Sequence, residues 1–196
     1  MMIFDIILPT LWRPTLINAI RSILEQTYPQ WHLYVVADGF SLPADFRNYF
    51  NDARISFHSI SPRAHDSGAT PRNIGIGFGT NPWITYIDDD DIWLPHHLET
   101  FKEHIILNPE INMLHSAGRM VTWSPHKKSL KNKGEYFQPL TVGMCHTRPL
   151  FNKTIGWSTV YTEDHDIRLW HEMLENGGNC LAIKQVTFRF LRGGKN

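Results

Sequence analysis

The sequence predicts an α/β protein, a single domain with a mostly parallel central sheet flanked by helices. Short apolar runs alternate along the first half of the chain with segments whose apolar residues recur at helical spacing. Strands that alternate with helices are joined by right-handed crossovers, and this connection makes the sheet parallel. The length of 196 residues and the hydrophobic content of 42% suit one domain with a substantial core.

The first half of the chain contains four predicted strands and four predicted helices. The strands are short, mostly apolar runs at residues 3–8, 31–37, 55–59 and 83–87. The first two helices cover about 13–26 and 44–51. The third is predicted to begin with Thr70 as N-cap and Pro71 at the first helical position. The fourth contains the apolar residues Leu98, Phe101 and Ile105.

The second half of the chain is less regular. A strand is predicted over 111–121, followed by a polar stretch at 124–135 rich in lysine. That stretch is interpreted as a solvated hairpin tip, with a contact to phosphate or acceptor as the alternative. A helix capped by Thr162 is predicted to bury Ile167, Trp170 and Leu174 and to end at Gly177-Gly178. A final strand is predicted over 186–191.

Charge and composition exclude several classes of partner. The 19 basic residues balance the 19 acidic ones, so no overall charge attracts nucleic acid or an anionic membrane surface. We expect no nucleic-acid partner and no transmembrane segment, because no apolar run approaches ~20 residues. Cys145 and Cys180 lack CxxC spacing and the N-terminus lacks a signal pattern, which favours a cytoplasmic location. A disulfide between these two cysteines stays open.

Four consecutive aspartates, Asp88 to Asp91, directly follow the apolar run at 83–87. Carboxylates this close repel one another unless a positive charge neutralises them, and Mg²⁺ or Mn²⁺ binds carboxylates together with substrate phosphates. Ligands of parallel sheets bind beyond the carboxyl ends of the strands. We therefore expect Pro9-Thr10, Asp38-Gly39 and the aspartates along one rim. The alternative is a solvated acidic turn that caps the helix beginning near Pro95.

A second acidic segment, residues 162–166, precedes the predicted last helix. Acidic side chains favour helix N-termini for electrostatic reasons alone. The functional interpretation is a carboxylate base, held at a rigid helix end, that takes a proton from an acceptor hydroxyl. An ion pair between Asp164 and Arg168, four residues apart, would compete for the same carboxylate.

Several well-known motifs do not account for this chain. Gly75, Gly77 and Gly79 superficially suggest a dinucleotide-binding loop, but they lie inside a helical pattern, where close helix packing is the expected use. The sequence contains no GxSxG, P-loop, HExxH or paired CxxC motif. Hydrolase, NTPase and zinc-enzyme functions therefore have no motif support.

Six segments in order along the chain resemble the inverting family 2 glycosyltransferases of the GT-A fold. The likeness is strong over residues 3–99 and returns at about 144–192. The six segments are Ile6–Thr10 with Arg13-Pro14, Ala19–Tyr28, Val35–Gly39, Pro71–Ile76, Tyr86–Pro95 and Thr162–Asp164.

The resemblance implies a GT-A-type fold with a Rossmann-like sheet, a donor half at 1–99 and an acceptor half with the catalytic base at 100–196. It also implies a role for each matching residue. The donor's base and ribose would contact Pro9, Thr10 and Asp38, with Asp89 near the ribose and Arg72 facing the donor. Asp88 and Asp90 would be the DxD carboxylates that hold Mn²⁺ or Mg²⁺, and Asp164 would be the catalytic base.

The function implied is metal-dependent, inverting transfer of a sugar from a nucleotide-sugar donor to an acceptor hydroxyl. A UDP-sugar is favoured, with GDP- or dTDP-sugars as alternatives, and the acceptor is a saccharide, a lipid-linked molecule or a protein. A lipid-linked acceptor would bring the protein to the membrane periphery. Departures from the family pattern at Ala37, Phe40 and Pro71 bear on nucleobase preference. The rival functions are a nucleotidyltransferase-like enzyme and a non-catalytic nucleotide-sugar-binding module.

Overall fold

A computed structural model describes residues 2–124, 129–160 and 164–191 of the chain. In these ranges the strands are β1 Phe4–Thr10, β2 Trp31–Asp38, β3 Ile55–Ile60, β4 Trp83–Tyr86, β5 Ile92–Trp93, β6 Met113–Ser124, β7 Ser129–Tyr136, β8 Met144–Thr147 and β9 Cys180–Leu191. The α-helices are α1 Leu16–Leu24, α2 Ala44–Tyr49, α3 Ala69–Phe78, α4 His97–Leu107, α5 Arg148–Phe151 and α6 His165–Glu175. A 3₁₀ turn lies at Thr141–Gly143.

All the strands belong to one sheet, which confirms the predicted α/β fold. Its order is β3-β2-β1-β4-β8-β6-β9-β5, with β7 paired to β6 beside this path. The first four strands are parallel to one another. The second half is mixed, because β8 runs antiparallel to β4 and β6 while β6 and β9 are parallel. The carboxyl ends of β1, β2 and β4 consequently open at one edge.

Helices cover both faces of the sheet because its central strands are apolar on both sides. Alternate residues of a strand point to opposite faces. Phe4, Ile6 and Leu8 of β1 pack in one buried cluster with the apolar residues of α1 and α4. Ile7 packs in the other cluster with residues of α3 and α6. This two-sided burial explains why β1 is an almost continuous apolar run rather than an alternating one.

Asp5 is the exception in this apolar strand, since it is a fully buried acid. Its Oδ2 lies 2.7 Å from Nη2 of Arg148 and accepts the Asn81 backbone N–H at 2.9 Å. The Asn81 side-chain amide donates to its Oδ1 at 2.7 Å. The buried charge is therefore paired and hydrogen-bonded, as such charges must be.

The starts of two predicted helices need correction. Helix α3 begins at Ala69 after Gly68, which has a left-handed φ of 85°, so Thr70 is not its N-cap. Instead Asp66 accepts hydrogen bonds from the backbone N–H and the hydroxyl of Thr70. Helix α6 begins at His165 with Asp164 before it, whereas the predicted cap Thr162 lies outside the described residues.

The buried face of α6 also differs from the prediction. The helix buries Leu169, Trp170 and Met173, whereas Leu174 is 38% exposed and Ile167 is only partly buried. The prediction shared only Trp170 with the observed face. Which face of α6 is buried depends on the side on which the sheet lies. The spacing of the apolar residues alone is compatible with either face.

The polar stretch predicted as a hairpin tip is largely extended. Strands β6 and β7 pair antiparallel from Gly118–Tyr136 to Ser124–Ser129. Residues 125–128, at the predicted tip, lie outside the described residues. Cys145 and Cys180 are free thiols, which settles the open disulfide question. In the described ranges no helix has both the length and the apolar character to cross a membrane.

Candidate active site

A cleft of about 460 Å³ opens at the carboxyl ends of β1, β2 and β4, beside the start of α3. We call it the main cleft. It contains seven of the eight residues assigned from the sequence; the eighth, Asp164, is not among its lining residues. The lining residues are Pro9, Thr10, Leu11, Arg13, Asp38, Arg63, His65, Ser67, Gly68, Pro71, Arg72, Asp88, Asp89 and Asp90.

Asp89 ties the loop after β4 to the loop after β1. It is 3% exposed, and its Oδ2 accepts the Thr10 hydroxyl at 2.7 Å and the Leu11 backbone N–H at 3.0 Å. Its Oδ1 accepts Nη1 of Arg13 at 2.8 Å. Both oxygens of Asp89 are thus engaged within the protein, so this carboxylate fixes the shape of the cleft.

Two arginines pair with Asp88 and Asp90 of the acidic run. Nη1 of Arg13 also lies 2.9 Å from Oδ2 of Asp90. Arg72, which is 3% exposed, donates through Nη2 to Oδ1 of Asp88 and through Nη1 to the Ser67 carbonyl at 3.0 Å. The Arg72 guanidinium also lies over the ring of Trp157, 4.7 Å from its centroid. The orientation of Arg72 is therefore set from three sides.

Asp90 carries the clearest electrostatic perturbation in the cleft. Burial raises its pKa to about 6, the neighbouring carboxylates of Asp88 and Asp89 add to the rise, and Arg13 opposes it. A nearby cation stabilises the ionised form of a carboxyl group that lies among other carboxylates. The alternative interpretation, in which the acidic run caps α4, is not supported, because α4 begins at His97 and no described side chain caps it by a hydrogen bond.

Asp88 and Asp90 fit a hard divalent cation by their chemistry. Both offer carboxylate oxygens on one loop, and both side chains are about one-third exposed, at 30% and 35%. No group of three or more His, Cys, Asp or Glu side chains within the described ranges is arranged to hold a metal. An ion held by two protein carboxylates would need further oxygens, and substrate phosphates commonly supply them for Mg²⁺.

A second cavity of about 190 Å³ adjoins the main cleft and shares Asp88 and Asp90 with it. Its other lining residues are Asp91, Leu140, Thr141, Val142, Asp166 and Phe190. Asp166 belongs to the first turn of α6, and its Oδ2 lies 3.4 Å from the Thr141 hydroxyl. The fold therefore brings the start of α6 to the aspartates after β4.

Asp164 is exposed and has a left-handed φ of 55°. It lies two residues before Asp166, and its carbonyl accepts the Arg168 N–H at 2.9 Å. The sequence assignment had not singled out Asp166 as a site residue. The position of Asp166, two residues after Asp164, could have identified it, because the first turn of a helix near a site presents more than one side chain to that site.

The sequence assignment also missed the loop between β3 and α3, which lines the main cleft with Arg63, His65, Ser67 and Gly68. This loop follows the carboxyl end of a parallel strand, as the loops after β1, β2 and β4 do. The rim argument, applied to β3 as well, would have found it.

Comparisons with known proteins point to one family. The model of "Glycosyl transferase family 2" matches residues 5–173. WfgD of Escherichia coli, named as a UDP-Glc:alpha-D-GlcNAc-diphosphoundecaprenol beta-1,3-glucosyltransferase, is 33% identical over 184 residues, which cover 86% of this chain and 68% of WfgD. Two other curated relatives are matched over only 37% and 26% of their own length.

Two solved structures share the fold at 14% sequence identity. The structure of S. aureus TarS 1–349 in complex with UDP-GlcNAc has a TM-score of 0.80, covering 100% of this chain and 60% of that one. The mannosyltransferase PcManGT from Pyrobaculum calidifontis, in complex with GDP-Man and Mn²⁺, has a TM-score of 0.74, covering 98% and 58%. With the family model matching most of its length, the chain belongs to glycosyl transferase family 2.

Proposed function

We propose that this chain is a metal-dependent, inverting glycosyltransferase that moves a sugar from a nucleotide-sugar donor to an acceptor hydroxyl. One observation carries the proposal: the main cleft and the second cavity meet at Asp88 and Asp90. A donor in the first and an acceptor in the second would place the reacting atoms beside these two carboxylates. Holding two reactants in contact supplies a large part of catalysis in group transfer.

The donor would occupy the main cleft with its nucleoside at the Asp38 end. Pro9 and Thr10 end β1 and Asp38 ends β2, so these three residues would line the base and ribose, with Asp89 near the ribose. Arg72 is fixed beside Asp88, where its guanidinium would face the donor's diphosphate. TarS with UDP-GlcNAc and PcManGT with GDP-Man support a nucleotide-sugar donor.

Asp88 and Asp90 would hold the metal ion, Mn²⁺ or Mg²⁺, together with the donor's phosphates. The metal, when bound, supplies positive charge against the negative charge that develops on the departing nucleoside diphosphate. The Mn²⁺ in the PcManGT complex supports this assignment.

The reaction would be a single displacement at the anomeric carbon. Asp164 would take the proton of the acceptor hydroxyl while the acceptor oxygen forms its bond to that carbon. The bond from the anomeric carbon to the phosphate oxygen breaks, and the nucleoside diphosphate leaves with the electron pair. Attack from the face opposite the leaving group inverts the anomeric configuration. Asp166, which lines the second cavity, would help to position the acceptor.

The acceptor would be a lipid-linked saccharide, since the name of WfgD specifies a diphosphoundecaprenol-linked one. Such an acceptor would bring the protein to the membrane surface. Saccharide and protein acceptors are the alternatives for the same cavity.

The test is nucleotide release from UDP-glucose, UDP-GlcNAc and GDP-mannose, with and without Mn²⁺, on the purified chain. Transferases commonly hydrolyse their donor slowly when water replaces the acceptor, so nucleoside diphosphate should appear only with the metal and with one donor class. Asp90→Asn should abolish the metal-dependent signal. Release of pyrophosphate from a sugar phosphate and a nucleoside triphosphate would indicate a nucleotidyltransferase instead. Metal-dependent donor binding without turnover, even with candidate acceptors, would indicate a binding module.

A further inference from the structure

Trp157 is a buried residue in the segment between α5 and α6, and its ring contacts both sides of the proposed site. The Arg72 guanidinium lies 4.7 Å from the centroid of this ring, and the His165 ring lies 5.3 Å from it at an interplanar angle of 83°. Arg72 pairs with Asp88 in the main cleft, and His165 directly follows Asp164 at the start of α6. One ring therefore contacts the arginine assigned to the donor and the helix start that carries the assigned base.

The backbone of Trp157 is held by Asn73, the residue after Arg72 on α3. Oδ1 of Asn73 accepts the Trp157 N–H at 2.9 Å, and Nδ2 of Asn73 donates to the Trp157 carbonyl at 2.9 Å. The preceding residue, Gly156, has a left-handed φ of 82°, and a Cβ built there would lie only 2.8 Å from Oδ1 of Asn73. These two hydrogen bonds fix the indole next to Arg72, although Asn73 and Trp157 are 84 residues apart in the chain.

The ring of Trp157 also packs against Tyr86, the last residue of β4. The two ring centroids lie 4.9 Å apart at an interplanar angle of 80°, and the Tyr86 hydroxyl lies 2.8 Å from Nε2 of His146. Burial raises the pKa of Tyr86 and lowers the pKa of His146 to about 4, so both groups are neutral at pH 7. The indole is thus held at its backbone by Asn73 and at its ring by an uncharged, hydrogen-bonded pair.

The contact between Trp157 and Arg72 depends on the chemistry of the ring as well as on its volume. A cation is attracted to the face of an aromatic ring, most strongly to that of an indole, and the attraction grows when both groups are removed from water. Arg72 and Trp157 are both buried. An aliphatic side chain at position 157 would fill part of the space without attracting the guanidinium.

We propose that Trp157 is a positioning residue for sugar transfer, which orients the Arg72 guanidinium toward the donor and holds the start of α6 beside it. Trp157 would not touch the reacting atoms. Donor binding by Arg72 and proton removal by Asp164 would both depend on the placement of this one ring. The inference rests on the proposed function, because that function assigns Arg72 to the donor and Asp164 to the proton.

Trp157→Leu and Trp31→Leu form a matched pair for testing the donor side on the full chain. Trp31 is also buried with an arginine over its ring, since the Arg54 guanidinium lies 3.8 Å from its centroid. It begins β2, however, whereas β2 reaches the main cleft at Asp38. Calorimetric titration with UDP and with GDP, in the presence of Mn²⁺, should show nucleotide affinity about 3- to 30-fold lower in Trp157→Leu, the range for a cation–π contact, and unchanged in Trp31→Leu.

Two results of this titration would contradict different statements. If the wild-type chain binds a nucleotide and Trp157→Leu binds it equally well, the inference is wrong and the proposed function stands. If the wild-type chain binds neither UDP nor GDP, the proposed function fails, and the inference fails with it.

A combination with Arg72→Met tests whether Trp157 acts through Arg72. When Trp157→Leu is added to Arg72→Met, nucleotide affinity should fall no further, because the contact that it removes is already absent. Losses that add would overturn the inference. Melting temperatures without nucleotide show which variants fold. If Trp157→Leu does not fold, Trp157→Phe and Trp31→Phe replace the pair, with a loss of about two- to fivefold expected only in Trp157→Phe, since phenylalanine attracts a cation less than tryptophan does.

Asn73→Ala and Asn112→Ala test the side of the catalytic base. Asn112 is the matched control, because its side chain likewise accepts a backbone N–H, that of Asn179 at 2.7 Å, and donates to a backbone carbonyl, that of Gly177 at 3.0 Å. The readout is the maximal rate of nucleotide release into water at saturating nucleotide-sugar. Asn73→Ala should lower it about 10- to 100-fold, since a misplacement of about 1 Å costs roughly that much. Asn112→Ala should leave it unchanged, and equal rates in the two variants would overturn the inference.

Discussion

Nη1 of Arg13 lies 2.9 Å from Oδ2 of Asp90, so an arginine forms an ion pair with a carboxylate that we assign to metal binding. The same Nη1 reaches Asp89 at 2.8 Å, and the Arg13 side chain is 47% exposed. An arginine in this position relieves the repulsion within the acidic run when no other cation is present. Arg13 and a metal ion would therefore compete for Asp90.

Removing this competitor should strengthen metal binding. We expect Arg13→Met to raise the affinity for Mn²⁺, without nucleotide, by up to about fivefold, because an exposed ion pair contributes at most ~1 kcal/mol. Electron paramagnetic resonance of free Mn²⁺ during titration measures this directly. A weaker affinity in Arg13→Met would show that Arg13 holds the aspartates in their metal-binding geometry instead.

Asp164→Asn and Asp166→Asn form a matched pair at the start of α6. Asp164→Asn should lower sugar transfer by about 10²–10⁴-fold while leaving nucleotide affinity nearly unchanged, which is the effect expected of a lost general base. Asp166→Asn should act mainly on the KM for the acceptor. Initial rates at varied acceptor concentration, together with nucleotide titration, separate the two. The opposite pattern would transfer the role of base to Asp166.

Metal binding should weaken as the pH falls through about 6. Burial raises the pKa of Asp90 to about 6 from an ordinary value of 3.8, and a metal binds the deprotonated ligand. Because this folded-state pKa lies above the unfolded one, the folded state holds more protons between these values. Ionising Asp90 thus reduces stability as the pH rises through this window, and a bound cation offsets the loss.

The Mn²⁺ dissociation constant measured from about pH 5 to about pH 7.5 checks this dependence. Asp90→Asn cannot titrate at that position, so any residual binding by the variant should vary much less over the same range. A wild-type dissociation constant that stays unchanged over this pH range would mean that Asp90 is not the titrating ligand.

Arg148→Met should destabilise the fold strongly. Arg148 is the charged partner of Asp5, which is fully buried, so the substitution leaves an uncompensated acid in the core. Breaking a buried pair in this way costs about 3–5 kcal/mol. The free energy of unfolding in urea measures it. Lys102→Met, which breaks the partly exposed pair with Glu99, is the control and should cost less than ~1 kcal/mol.

Gly75→Ala and Gly77→Ala should have opposite effects on the same helix. A Cβ at Gly75 would lie 2.8 Å from Cγ2 of Ile7 and 3.2 Å from Cγ2 of Val36, whereas a Cβ at Gly77 would meet nothing within 4 Å. Overpacking at the first position should cost about 1–3 kcal/mol. Alanine at the second should stabilise the helix by up to ~1 kcal/mol. Thermal unfolding of both variants gives the comparison, and equal effects would contradict the packing argument.

The first half of the fold was predictable because its signals are local. The four predicted strands agree with β1 to β4 within one or two residues. Strands β5 and β8 were missed, since two and four residues form strands only through partners far away in the chain. The acidity of Asp5 inside a buried strand could not be explained from sequence either, because Arg148 is 143 residues away.

Many residues of the site were predictable from the rule that ligands bind beyond the carboxyl ends of parallel strands. The rule worked where polar residues directly follow a predicted strand. It grouped Pro9, Thr10, Asp38 and the first three aspartates at the main cleft, whereas Asp91 lines the second cavity. It did not reveal that both oxygens of Asp89 would accept hydrogen bonds from Thr10, Leu11 and Arg13. Hydrogen-bond partners depend on loop conformations, and these are set by packing that local sequence patterns do not encode.

The main cleft and the second cavity share lining residues, and this affects the order in which ligands bind and leave during a catalytic cycle. Asp88 and Asp90 belong to both cavities, so any ligand that reorients them on one side changes the surface offered on the other. Such thermodynamic coupling is reciprocal. A nucleotide that draws these carboxylates toward its phosphates would also change the walls of the second cavity. This coupling favours an ordered kinetic scheme, in which the nucleotide-sugar binds first and the free nucleotide leaves last.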